Sequence, residues 1–285
     1  MKPAPFDYHA PGTIEQALDL LHAHADARVL AGGQSLIPMM NFRLAAPAVV
    51  IDLNRIPSLA YIEDHGAIVR IGAMTRQRAI EFSSLVAEKL PLLREAIRLV
   101  GHLPTRSRGT IGGSIANADS AAEIPMVLQA LEGEVVVLGP NGQRTIGAAD
   151  LFEDAMTTSL APDEILTEVR LPAMPSGAGY AVEEFTRRHG DFAIAAVSVM
   201  IVRNGDCCTK ARIATAGIET HSRRLRAAET ILEEQGLNED AIVRAGDKAA
   251  ELVDPMTDHN ASADYRRQLI GVLTERALKR AAAAR

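Results

Sequence analysis

The chain has 285 residues, 47% of them apolar, and a net charge of −6 from 30 basic and 36 acidic side chains. That supports a substantial core spread over about two or three compact units, and the acidic balance with scattered Lys and Arg excludes the clustered basic face of a nucleic-acid binder. No apolar run reaches the roughly 18 residues of a membrane-spanning helix.

Thr13-Ile14-Glu15-Gln16 has the spacing of a capping box, and the residues after it place Ala17, Leu18, Leu20 and Leu21 on one helical face. Residues 27–30 predict a short strand running into Ala31-Gly32-Gly33-Gln34-Ser35, followed by a short helix over 36–43 and a second buried strand over 49–53. Residues 1–57 thus read as a small β-α-β-like unit. A strand is expected over 67–73, with Thr75 capping the next helix. Residues 91–100 predict an amphipathic helix on which Leu92, Leu93, Ala96, Ile97 and Val100 share a face. Residues 124–131 read as helical. Residues 134–138 read as a strand closed by the turn Gly139-Pro140-Asn141-Gly142, and 164–171 as a strand stopped by Pro172. The Pro- and Gly-rich segment 172–179 is the linker of the chain. Beyond it, residues 193–203 and 210–216 pair around Asn204-Gly205, a strong hairpin signal, and everything from His221 onward is expected to be helical. The fold class is α+β.

Two glycine-bearing segments stand out. In the first, Ala31 to Ser35, adjacent glycines follow a strand, so backbone N–H groups can turn inward as a nest for phosphate oxygens, with the Ser35 hydroxyl as a further donor. An ordinary strand-to-turn junction has the same appearance. The second runs through Arg108-Gly109-Thr110-Ile111-Gly112-Gly113-Ser114 to Asn117, Asp119 and Glu123. Its small, polar composition predicts a ligand-binding loop between two helices rather than a packed helix, the alternative being a solvated Ω-loop. Asp119 and Glu123 suit ribose hydroxyls, which are donors. Neither segment is a G-x-G-x-x-G or P-loop fingerprint, so a nucleotide-type ligand requires another fold.

Other candidates carry less. His22 and His24 are expected on the surface of the first helix, and His102 as a plain loop residue. Cys207 and Cys208 are adjacent, which predicts free thiols in a reducing compartment and falls short of the roughly four thiolates of an iron–sulfur cluster. No CxxC or HExxH spacing points to zinc. The N-terminus, Met1-Lys2-Pro3-Ala4-Pro5, lacks an apolar signal-peptide stretch, so a cytoplasmic location is expected. Basic residues gather only at Arg187-Arg188, in the tail ending at Arg285, and in Arg223-Arg224-Leu225-Arg226, read as a solvated helix start or a partner-facing run.

With these residues on the page, the sequence resembles the FAD-binding medium subunit of the molybdenum hydroxylase family, the xanthine dehydrogenase and carbon monoxide dehydrogenase group, nearest the quinoline and nicotine enzymes. The resemblance runs through Phe6-Asp7-Tyr8, Ala31 to Pro38, Arg108 to Ser114, Asp163-Glu164-Ile165-Leu166 and Arg187 to Ala193. It implies a PCMH-type FAD-binding domain of two α/β subdomains, 1–57 and 58–175, and a C-terminal domain, 176–285, with a small antiparallel sheet and helices. It implies that Ala31, Gly32, Gly33, Gln34, Ser35 and Leu36 bind the FAD pyrophosphate. Thr110, Gly112, Gly113, Ser114, Asn117 and Asp119 would line the flavin and phosphate path. Glu123 would bind ribose, Leu166 would pack near the cofactor, and Phe192 would lie against the isoalloxazine. Two positions depart from the family. Gln34 stands where some relatives carry His, so FAD is expected to be non-covalent. Glu184 stands where some carry Lys, so no lysine contact to the flavin carries over.

The same resemblance implies an oxidoreductase electron-transfer role. Electrons would arrive from two [2Fe-2S] clusters in a small subunit, and the molybdopterin cofactor would sit in a large subunit that hydroxylates an N-heteroaromatic substrate. The assembly would be a dimer of heterotrimers, a heterohexamer with no nucleic acid and no membrane span. The rivals are a self-contained FAD-dependent reductase of the peptidoglycan-precursor type and a non-catalytic nucleotide-binding module.

Overall fold

The computed structural model describes residues 2–205 and 207–283, so Met1 at the N-terminus and Arg285 at the end of the basic tail lie outside the described residues. Strands β1 (Asp7–His9), β2 (Ala27–Leu30) and β3 (Val49–Asp52) form a parallel sheet in the order β1-β3-β2, with helices α1 (Ile14–Ala23) and α2 (Leu36–Asn41) between them. The expected β-α-β unit is present. It gains β1, which is too short and too exposed to show a strand pattern. Thr13 Oγ1 accepts from the Gln16 N–H (3.3 Å), but the Gln16 side chain accepts from Gly12 N–H (3.0 Å) rather than closing a reciprocal box on Thr13. Ala17 and Leu21 seal the sheet with Val49, Ile51 and Leu53, and the same core takes in Leu59, Met74 and Ile165.

The next layer is an antiparallel five-stranded sheet in the order β4-β5-β10-β6-β7. After β4 (Ile62–His65) and β5 (Ile68–Gly72) come six short helices: α3 (Gln77–Phe82), α4 (Ser84–Lys89), α5 (Pro91–Ile97), α6 (Leu103–Arg108), α7 (Ile111–Asn117) and α8 (Glu123–Ala130). Then follow β6 (Glu134–Gly139), β7 (Gly142–Gly147), α9 (Ala148–Leu151), the small hairpin β8 (Phe152–Asp154) and β9 (Thr157–Thr158), and the central strand β10 (Ile165–Pro172).

Three expectations need correction here. Thr75 caps no helix. Its Oγ1 accepts from Tyr61 N–H (3.0 Å) and donates to Tyr61 O (2.9 Å), stapling the end of β5 to the start of β4, and α3 begins only at Gln77. Helix α5 stops at Ile97, so Leu92, Leu93, Ala96 and Ile97 are buried while Val100 lies in the turn before Gly101, whose φ is +46°. The Gly139-Gly142 turn closes β6 as expected, onto a partner strand β7 whose mostly exposed residues hide its strand character. Finally, the polar segment expected to be a loop contains helix α7, for reasons given below.

The C-terminal part opens with β11 (Gly179–Phe185), β12 (Ala195–Asn204), β13 (Cys207–Ala216) and β14 (Arg223–Arg224), an antiparallel sheet in that order. Asn204 pairs with Cys207, so the hairpin turn starts at Gly205 (φ +60°), one residue later than the Asn-Gly signal suggests. Helices α10 (Arg226–Gln235), α11 (Glu239–Leu252) and α12 (Ala263–Ala283) complete the fold. The all-helical expectation after His221 fails at β14, where Arg223 and Arg224 pair with Thr215 and Ala214.

Strand β12 is buried from Ala195 through Ile201 because both sheet faces are covered. Alternation sorts its side chains. Ala195, Val197, Val199 and Ile201 face the core shared with α10–α12, while Ala196 and Met200 face the core shared with α5 and α8. Helix α8 is therefore buried along its whole length. Polar clamps reinforce this seam. Val182 N–H donates to Glu95 Oε1 (2.8 Å) and Gly217 N–H donates to Ser120 O (2.7 Å). Glu132, itself in a left-handed conformation (φ +53°), is held by Arg212 (2.9 Å), Arg224 and Lys210. Arg224 is thus neither a solvated helix start nor a partner-facing residue. Its buried guanidinium bridges Glu132 and Glu229.

Candidate functional site

The first glycine segment leaves β2 and turns into α2. Gly33 adopts φ +74°, the left-handed region that favours glycine. Gly32 is excluded from carrying a side chain by space: a Cβ there would collide with the Arg108 carbonyl oxygen and lie 2.8 Å from Gly109 Cα. The two glycine segments therefore touch, backbone to backbone, across 76 residues of sequence. The Gln34 amide folds back to donate to Gly32 O (3.3 Å), and Ser35 precedes α2 without using its hydroxyl to cap the helix.

The second segment is a capped helix. Thr110 Oγ1 accepts from Gly113 N–H (3.0 Å), which satisfies one of the otherwise open donors of the first turn. Ile111 and Ile115, four residues apart, bury the same face together with Gly112. Gly112 is required by proximity, since a Cβ would stand 2.6 Å from Ala73 Cβ. Gln77 N–H donates to Gly109 O (3.0 Å), Ile111 N–H to Thr75 O (3.1 Å) and Gly112 N–H to Ala73 O (2.9 Å), so α7 hangs from the chain that follows β5. Ala118, left-handed at φ +48°, ends the helix, and Asp119 Oδ1 then accepts from Ala121 N–H (3.0 Å) to shape the turn into α8.

Two residues with no sequence signal lock the segments together. Asn54 donates from Nδ2 to Ala31 O (2.9 Å) and accepts from the Arg76 guanidinium, which also donates to Arg108 O. One continuous chain of hydrogen bonds thus runs from the first segment, through Asn54 and Arg76, to the second.

Between the segments lies a cleft of about 900 Å³, at the upper end of the roughly 300–1,000 Å³ of ligand pockets. The residues that the resemblance assigns to the cofactor all line it: Ala31 through Leu36, Thr110, Gly112, Gly113, Ser114, Asn117, Asp119, Glu123, Leu166 and Phe192. Leu166 is buried at the irregularity where β10 shifts register against β6. Phe192 is at the other extreme, 69% exposed at the cleft edge. Its loop contains Gly190, which adopts φ +87° and packs against the His102 ring. His102 also packs edge-on to His189 with ring centroids 5.9 Å apart, and so is a loop support. Met39, Leu44, Pro47, Met156 and Leu160 add an apolar lining, none of it anticipated.

Glu123 is the buried charge-bearing group of the cleft. Burial, then the charge of the Glu184 carboxyl, raises its pKa to about 8, and burial raises Glu184 to about 7. Away from the cleft, both cysteines are free, and burial pushes Cys208 to about 11, which keeps it an inert thiol. His22 and His24 are exposed, as expected. No described helix is long and apolar enough to cross a membrane.

Comparison with known proteins agrees with this architecture. The family described as "FAD binding domain in molybdopterin dehydrogenase" matches residues 4–174, and "CO dehydrogenase flavoprotein C-terminal domain" matches residues 180–281. The nicotine 6-hydroxylase medium subunit of Paenarthrobacter nicotinovorans is 41% identical over 283 residues, 99% of each chain. The carbon monoxide dehydrogenase medium chain of Afipia carboxidovorans is 39% identical over 284 residues, again 99% of each. The solved carbon monoxide dehydrogenase from Hydrogenophaga pseudoflava superimposes with a TM-score of 0.98 at 39% identity, covering 100% of this chain and 99% of that one. Residues 180–281 match a carbon monoxide dehydrogenase flavoprotein domain, and the relatives are oxidoreductase subunits. The chain belongs to the molybdenum hydroxylase family as an FAD-binding medium subunit.

Proposed function

We propose that this chain is the electron-transfer subunit of a molybdenum hydroxylase and holds FAD non-covalently along the cleft between its two glycine segments. FAD supplies the redox chemistry there, between two [2Fe-2S] clusters of a small partner subunit and an external acceptor. The observation that carries this reading is the contact of Gly32 with Arg108-Gly109, which makes one continuous cleft out of two separate turns.

The residues present fit an extended dinucleotide. The backbone N–H groups of Ala31 to Ser35, free of Cβ obstruction at Gly32 and Gly33, cradle the pyrophosphate, and the Ser35 hydroxyl adds a donor. Thr110, Ser114 and Asn117 offer small polar side chains to the phosphate and ribityl stretch, and Gly112 and Gly113 keep the α7 backbone bare of side chains beside them. Asp119 and Glu123 face the hydroxyl-bearing part. Leu166 gives an apolar floor, and the exposed Phe192 ring would lie against the isoalloxazine and limit water access there. Gln34 provides no ring nitrogen for a flavin bond, which supports non-covalent attachment. We propose units 1–57, 58–175 and 176–285, each centred on its own sheet. We further propose a cytoplasmic dimer of heterotrimers whose large subunit carries the molybdopterin cofactor and binds an N-heteroaromatic compound, a class favoured by the likeness to nicotine 6-hydroxylase.

The test is to co-express the chain with the subunits encoded beside it and add substrate without oxygen. Bleaching of the visible flavin band on substrate addition is the expected result. A colourless complex, or a chain active alone with NADPH, would reject the proposal.

A further inference from the structure

Gln77 opens α3 and sits where the two glycine segments meet. Its backbone N–H donates to Gly109 O (3.0 Å), and its side chain lies against the same glycine. A Cβ at Gly109 would stand 2.6 Å from Gln77 Oε1, 2.8 Å from Cδ and 3.1 Å from Nε2, so the planar amide as a whole packs on that backbone. Gly109 is also the residue that Gly32 approaches from the first segment. The amide is therefore held at the crossing of both segments. Gln77 is 4% exposed and lines the cleft. Its Oε1 is sealed from solvent with no hydrogen-bond partner among the described residues. Its Nε2 has no partner among them either, but it is not sealed, so the open edge of the amide is its donor edge. A buried amide left open costs stability, and an apolar side chain of the same length would fill the space without that cost.

We propose that Gln77 is a further cofactor-binding residue, whose Nε2 donates a hydrogen bond to a pyrophosphate oxygen of FAD where the two segments cross. The carbonyl end, wedged against Gly109, fixes the plane of the amide. The donor is thus aimed before the cofactor arrives, and little side-chain freedom is lost on binding. A hydrogen bond to a charged acceptor is stronger than one between neutral groups, and a neutral donor brings no repulsion to an anion. The inference rests on the FAD reading and adds a contact that the family resemblance does not assign.

Fluorescence titration of the FAD-stripped complex, with denaturant melts of the same preparation, tests it. Gln77→Met keeps the bulk and removes the amide. Its Kd for FAD is expected to rise by about ten- to a hundredfold, while the FAD-stripped variant melts at the same or a higher denaturant concentration than the wild type, because the open amide is gone. ADP, which carries the pyrophosphate without the flavin, is expected to lose affinity by the same factor. In Gln77→Glu, of nearly identical shape, a carboxylate faces the anion. Its Kd is expected to rise further at neutral pH, and to fall back between about pH 8 and pH 5 as the carboxyl protonates into a donor. Unchanged Kd values for FAD or ADP in Gln77→Met would overturn the proposal. So would weaker binding matched by a loss of stability in the FAD-stripped variant, since that marks a residue that only supports the fold. A wild-type complex that binds no FAD would instead reject the FAD reading, and this contact with it.

Discussion

The two glycine segments of the cleft have similar composition and opposite physical logic. In the first, Gly33 supplies a left-handed φ and Gly32 admits the backbone of Arg108-Gly109. In the second, Gly109, Gly112 and Gly113 have no positive φ, and the glycines there serve close approach, Gly112 to Ala73 and Gly109 to the Gln77 side chain. One segment is a half-exposed turn whose polar groups stay open to the cleft. The other is a helix whose apolar face joins the core and whose cap is already closed on itself. Ligand-facing polarity thus belongs mostly to the first segment, and structural anchoring mostly to the second.

The strongest way to break this arrangement is Gly32→Ala. The new methyl group meets backbone rather than a flexible side chain, so the segments must part. The expected outcome is a flavin content near zero and a stability loss of about 1–3 kcal/mol, read from visible absorbance and denaturant melts. Arg76→Met removes the tie while leaving both turns intact. It leaves Arg108 O and the Asn54 amide oxygen without their donor, so about 1–3 kcal/mol should be lost, with FAD retained at an affinity lowered by roughly tenfold per 1.4 kcal/mol of lost binding energy. A paired comparison sharpens the contrast between segments. Thr110→Ala should cost about 0.5–2 kcal/mol of stability because its cap bond is real. Ser35→Ala should change stability by no more than about 0.5 kcal/mol yet weaken FAD binding, because its hydroxyl caps no helix. Equal stability losses in the two would contradict the division of labour.

The smallest effect concerns the seam behind α8. Against the opposing effect of burial, hydrogen bonds from Arg212 and Arg224 draw the Glu132 carboxyl down from 4.5 to about 2. A depressed carboxylate stabilises the fold above its ordinary pKa and loses that contribution as pH falls through the lower value. Melts of the wild type and Glu132→Gln should therefore differ at neutral pH and converge between pH 4.5 and about 2. A difference that grows on acidification would contradict the clamp.

Much of this was legible in the sequence because the signals were local. Strands β2, β3 and β10, the buried face of α5 and the first glycine turn all follow from a few neighbouring residues, and the chosen cleft residues do lie around one cleft. Helix α7 was not legible. Two adjacent glycines disfavour a helix by roughly 1 kcal/mol each, and the burial of Ile111 and Ile115 against distant residues is what overrides that cost. The Thr110-to-Gly113 cap was the one available hint. Asn54 and Arg76 carried no signal at all, since their role exists only once residues 22 and 32 positions apart are brought together. Arg224 was hidden for the same reason: one of its carboxylate partners, Glu132, is 92 residues away.

The central claim is that two glycine segments jointly hold one FAD without a covalent bond. Acid precipitation of the intact complex, followed by flavin quantification in the supernatant and pellet, tests it most directly. The account predicts about one FAD per copy of this chain, all of it in the supernatant. Flavin that stays with the precipitated protein, or none in either fraction, would contradict it.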